Sequence, residues 1–147
     1  MIVDATNQTL GRLAAYVAKA ALSTKEEIII VNAEKSLVSG KPDMLVEEGR
    51  VKLSIKNNAS PLRGPFHQRR PDRYVRRAIR GMLPYEKSRG REAFSRIMVY
   101  MGVPKEEIKK QHDVDVTKGK INPPMKPKSL ANYITVGALC KELGGKY

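Results

Sequence analysis

MIVDATNQTLGRLAAYVAKAALSTKEEIIIV, residues 1 to 31, decides the fold. Ile2 and Val3 begin a short apolar strand, and Leu10, Leu13, Ala14, Val17, Ala18 and Ala21 then recur at the spacing of one helical face. Thr9 stands where an N-cap belongs. Glu27 to Val31, EIIIV, is an unbroken run of β-branched residues after its first, which is what a strand covered on both faces needs. Strand, helix and strand in this order predict a right-handed βαβ unit, because parallel neighbours need a long crossover and a helix supplies it. A parallel α/β sheet is the expected core. At 147 residues and 41% hydrophobic content the chain suffices for a single domain, 1–147.

Outward from that unit the signals vary in strength. Between 41 and 57, Val51, Leu53 and Ile55 alternate as in a strand, whereas Pro42 ahead of DMLVEE is a helix start; we prefer the helix. Asn57 to Arg70, NNASPLRGPFHQRR, reads as a basic loop from its Asn, Pro and Gly content. Ala93, Phe94 and Ile97 suggest a short helix leading into a strand, IMVY, at 97–100. Pro104, Glu106, Glu107, Lys109 and Lys110 predict a small helix with acids first and bases last, the order its dipole favours. Residues 112–131 form an extended Lys/Pro-rich segment. Its centre, TKGKINPPMKPK at 117–128, is too poor in apolar groups to order itself in the free protein. Residues 132–147 carry the closing helix, from about Val136 to Leu143, capped by Thr135 and stopped by Gly144. There is no internal repeat.

The stretch RPDRYVRRAIRGMLP, residues 70 to 84, alternates arginines with core-forming residues. On a helix, Arg73, Arg76, Arg77 and Arg80 fall within an arc of about 100°, and Tyr74, Val75, Ala78, Ile79, Met82 and Leu83 take the opposite side. Pro84 ends the helix near Leu83. A solvated helix face normally mixes signs, since like charges three or four residues apart repel. This face is of one sign, so a polyanion that neutralises it is the better explanation. Residues 63–96 carry eleven Lys and Arg against three Asp and Glu, and so supply +8 of the chain's +13. Ten of those eleven cations are arginine, whose planar fork grips phosphate through two hydrogen bonds and stacks on bases. Such concentrated charge at a pI near 10 is the footprint of a nucleic-acid binder. A membrane surface would also attract a basic helix, but here the apolar half has the composition of a core face and the chain lacks Trp.

Other function classes find little support. No apolar run approaches the ~18 residues of a membrane span and no signal-peptide pattern opens the chain, so the expectation is a soluble, intracellular protein. Cys140, the single cysteine, excludes an intrachain disulfide and a cysteine zinc site; Val136, Leu139 and Leu143 around it mark a buried thiol rather than a nucleophile. DATNQTLG at 4–11 lies where a phosphate loop would, but has neither the dinucleotide glycines nor a P-loop lysine, and reads as an ordinary strand-to-helix turn. His67 and His112 are the only histidines, and no spacing supplies further metal ligands. HDVD at 112–115 resembles a nuclease-like acidic pair, though loop residues are the plainer reading. His67, among Arg63, Arg69 and Arg70, suits contact with an RNA sugar or base better than general-base work. We expect no catalytic residues, metal, cofactor or small-molecule substrate.

RGMLP at 80–84 followed by RGREAFSRIMVYMGVP at 89–104 resembles the signature of the universal uL-thirteen family of large-ribosomal-subunit proteins. VDATNQTLGRLAAYVAK and IIIVNAEKSLVSG are similar to that family's opening βαβ, and GPFHQRRPDRYVRRAIRGMLP to its archaeal and eukaryotic branches. Where bacterial relatives carry a His-Pro-His type segment this chain has VPKEEIKKQHD, and it lacks the long extra C-terminal helix of eukaryotic relatives; both point to an archaeal type. The resemblance implies a three-layer α/β/α domain with a small, mainly parallel sheet of about four strands. It also implies a structural role, in the cytoplasm, supporting subunit assembly and translation beside large-subunit RNA and neighbouring proteins. Carried over, the RNA-facing residues would be Gly11, Arg12, Arg63, His67, Arg69, Arg70, Arg73, Arg76, Arg77, Arg80, Lys87, Arg89, Arg91 and Arg96. Lys118, Lys120, Lys126 and Lys128 would add phosphate contacts from the Lys/Pro-rich segment. The alternative is an RNA-binding regulator off the ribosome, or a nucleic-acid enzyme, sharing only the charge pattern.

Overall fold

The computed structural model describes residues 1–112 and 130–147, together with the backbone of 121–122. Asp113, Asp115, Lys118, Lys120, Lys126 and Lys128, all singled out above, lie outside the described residues. The opening βαβ unit is present: β1 (Ile2–Asp4), α1 (Leu10–Ser23) and β2 (Ile28–Val31). The two strands pair in parallel with Ile2 opposite Ile29 and Asp4 opposite Val31. There follow β3 (Leu37–Ser39), α2 (Pro42–Ser54), α3 (Pro71–Met82), α4 (Ser88–Ser95), β4 (Ile97–Val99), α5 (Lys105–His112), β5 (Ile121–Asn122), β6 (Tyr133–Thr135) and α6 (Val136–Glu142). The main sheet runs β4-β2-β1-β5, every pair parallel.

Alternation along the strands builds two apolar layers. Val3, Ile28, Ile30 and Ile97 join the larger core with α1, Val75 and Ile79 of α3, and Ala93 of α4. Ile2, Ile29 and Val31 meet Ile108 of α5 and Tyr100 on the other side. All four β2 side chains are at most 1% exposed, so each contributes about 1.5–3 kcal/mol of burial. The result is an α/β domain with helices on both faces of a small parallel sheet.

Several expectations need correction. Thr9 occupies the N-cap position of α1, but its side chain makes no cap hydrogen bond, whereas Thr135 accepts one from the Ala138 amide at 3.2 Å. Met82, assigned above to the core side of its helix, is 45% exposed, because the helix ends there and Leu83 turns inward instead. The sheet's β1-side edge comes from Ile121–Asn122, within the stretch expected to be extended. β3 and β6, which pair antiparallel with Leu37 opposite Thr135, were invisible in the sequence. Three residues are too few to show a period of two.

Gly90 and Cys140 mark the close packing behind the part of the fold that carries the arginines. Gly90 in α4 sits so close to the turn before it that a Cβ would lie 2.0 Å from the Pro84 carbonyl oxygen. Cys140 is fully buried in α6, and burial, then the negative charge of Asp72, pushes its thiol up to about 12. Gly90→Ala should therefore cost about 3 kcal/mol, read as a lowered midpoint in urea unfolding. Cys140 should resist iodoacetamide in the folded protein at pH 8, react faster as pH climbs toward 12, and label readily in denaturant.

Candidate nucleic-acid interface

α3 takes its rotation from Val75 and Ile79, both fully buried one turn apart, with Leu83 just beyond the helix. That phase puts Arg73 and Arg77 in solvent and leaves Arg76 and Arg80 half-buried. The half-buried pair are held by aromatic rings. Arg76 places its guanidinium carbon 4.6 Å from the centre of the Phe94 ring, and Arg80 places its own 5.0 Å from that of Tyr85. The two rings meet edge to face at 5.5 Å. Each cation–π contact adds about 0.5–1 kcal/mol and restrains a side chain that would otherwise sample many rotamers. Gln68, Arg73, Arg76, Arg77, Arg80 and Phe94 line an open groove of about 280 Å³. Asp72 stands at the first turn, where the dipole favours it, with Arg70 Nε 3.3 Å away.

Other cations named from the sequence are partly engaged by the fold. α1 has no basic residue in its own last turn. Arg89 donates to the Leu22 carbonyl at 3.1 Å, and Arg96 to the Ala21 and Thr24 carbonyls at 2.9 and 3.3 Å, so guanidinium groups from α4 and its end satisfy the orphan acceptors. Arg91 donates to the Tyr85 and Glu86 carbonyls, both at 3.2 Å, bracing the turn between α3 and α4. Lys87 stands exposed at the start of α4.

The remaining candidates are spread out. Gly11 and Arg12 are exposed on the first turn of α1, and a Cβ on Gly11 would meet nothing of this chain within 4 Å. Arg63 is exposed at the end of a 3-10 turn, Pro61–Arg63. His67 opens on a small cleft of about 80 Å³ beside Tyr74, α2 and α6, which shares Gln68 with the arginine groove. Arg69 is exposed, and its carbonyl packs so closely on Gly145 that a Cβ there would come within 2.3 Å. Sequence reasoning missed Tyr85, Phe94 and Gln68 as parts of this surface. Aromatic residues inside an arginine-rich stretch were the available signal.

His112 lies at the end of α5, on another part of the molecule. Its Nδ1 donates to the Glu27 carboxylate at 2.7 Å, and its Nε2 is 2.9 Å from the Tyr100 hydroxyl, so it ties the helix to the sheet. At the end of β1, the Asp4 carboxylate accepts from the Thr6 amide and hydroxyl and from Asn32 Nδ2, at 2.9, 2.7 and 3.0 Å. Partial burial opposes its ionisation, but those hydrogen bonds prevail and hold its pKa below the ordinary value. The turn after β1 is thus a structural strand-to-helix connection. Among the described residues no three His, Cys, Asp or Glu gather as a metal site would require, and no helix is long and apolar enough to cross a membrane.

The family profile described as Ribosomal protein L13 matches residues 1–106, which include every arginine discussed here. The chain belongs to the ribosomal protein L13 family. It is 41% identical over 146 residues, 99% of both chains, to "Large ribosomal subunit protein uL13" of Methanosarcina barkeri. It is 43% identical to the proteins of that name from Methanocaldococcus jannaschii, over 99% of this chain and 98% of the relative, and Methanococcus maripaludis, over 100% and 99%. These relatives are archaeal, and the family is one of structural ribosomal proteins rather than enzymes.

The carbonyl-capping role of Arg96 generates a prediction. Arg96→Ala should destabilise the fold by about 1–3 kcal/mol in urea unfolding, since two charge-assisted hydrogen bonds disappear.

Proposed function

We propose that the chain is a structural constituent of the large ribosomal subunit and holds large-subunit ribosomal RNA against the arginine face of α3, supporting assembly and translation in the cytoplasm. The observation that carries this reading is a one-signed row of four arginines set on a helix whose opposite side is locked into the core. Such a surface is unfavourable without a polyanion and ready-made with one. Folded RNA hides its base edges in a deep, narrow major groove, so phosphate and shape contacts dominate over sequence reading. Arg12, Arg63, Arg69, Arg70 and Lys87 extend the contact, and Gly11, with nothing of its own chain over it, lets a backbone approach closely. Arg89, Arg91 and Arg96 serve chiefly to fix the turns that present the others. Neighbouring proteins of the subunit are the remaining partners.

Arg73 and Arg77 give the cleaner test because, unlike Arg76 and Arg80, they project into solvent without covering an aromatic ring. The Arg73→Ala, Arg77→Ala double variant should keep the wild-type melting temperature. It should bind large-subunit ribosomal RNA more weakly, with a salt slope flatter by up to about one unit per lost phosphate contact. It should also sediment less completely with large subunits through a high-salt sucrose cushion. Wild-type protein that fails to sediment with the subunit would favour a regulator acting elsewhere.

A further inference from the structure

We propose that Tyr85, flanked by Arg80 and Lys87, is a stacking platform for a single unpaired RNA base; this rests on RNA being the ligand of the neighbouring arginine face. Tyr85 is the first residue after the Pro84 that stops α3, and it remains 39% exposed although Arg80 covers one face of its ring and the Phe94 ring stands nearly perpendicular to it, so a base would stack on the face away from Arg80. It opens on a groove of about 430 Å³, separate from the one along the arginines but sharing Arg80 with it. Gly81 forms part of the wall, and a Cβ there would meet nothing within 4 Å, so the helix leaves the groove open. Arg80 and Lys87 stand at this groove for a phosphate, and Glu86 offers an acceptor for a base's exocyclic amine.

The turn that carries Tyr85 is held before any ligand arrives. Arg91 donates to the Tyr85 and Glu86 carbonyls, the Lys87 amide to the Pro84 carbonyl at 3.0 Å, and Gly90 packs onto that same peptide. A preorganised ring loses little freedom on binding. An aromatic face beside two cations suits a nucleotide, whose base stacks while its phosphate pairs, and base stacking on aromatic side chains tolerates any sequence. Paired bases cannot reach such a face, so the ligand is an extruded or single-stranded one.

The test uses the full chain and two RNA hairpins of identical stem, one fully paired and one with a single bulged 2-aminopurine. Wild type should bind the bulged hairpin about tenfold more tightly and quench its fluorescence. Tyr85→Phe should keep that ratio; Tyr85→Leu should reduce it to about one and abolish the quench. A wild type that binds both hairpins equally would overturn the platform while leaving the arginine face standing. So would a Tyr85→Leu variant that loses affinity equally for both, since this is what a mere buttress for Arg80 would do. Failure of the wild type to bind either hairpin would overturn the RNA reading and the platform with it.

Discussion

Ile28, Ile29, Ile30 and Val31 show almost no surface to water, and their side chains point alternately to the two faces of the sheet. A strand of that composition is stable only if apolar layers cover both sides. α1, α3 and α4 supply one layer and α5 the other. The parallel pairing of β1 and β4 on either side of β2 satisfies its backbone as well. From this demand follows the position of α3, because Val75 and Ile79 must face the sheet and the arginines must then face away.

Half of the arginine face, Arg76 and Arg80, is held in place for reasons that lie partly outside the helix. A row of long cations on a free helix would lose side-chain entropy on meeting phosphate. Here Arg76 and Arg80 rest on Phe94 and Tyr85, whose own positions depend on α4 and on the turn that Gly90 and Arg91 secure. Part of the ordering cost is thus met by folding. The same arrangement turns Arg89 and Arg96 inward onto the last carbonyls of α1, so charges that look equivalent in sequence divide into presenting and bracing groups.

Elements were legible where burial imposes a period. Leu13, Val17 and Ala21 declare α1, the acid-to-base order of KEEIKK declares α5, and Thr135 with Gly144 bounds α6 within a residue or two. Where burial imposes nothing, the reading failed or wavered. α2 has no buried residue, so its pattern competed with that of a strand. LVS and YIT pair only because the chain brings residues 37 and 135 together, an event with no local trace.

Sequence by itself determined the βαβ seed, the two-faced helix at 71–82, the concentration of charge in 63–96 and the family likeness, because each rests on local periodicity, residue type or motif order. Tertiary structure alone decided which cations are free. Hydrogen-bond partners of Arg89, Arg91 and Arg96 lie five to seventy-five residues away, and the rings under Arg76 and Arg80 belong to the following turn and helix. A guanidinium carries its charge wherever it stands, but its partners exist only after the chain has closed on itself.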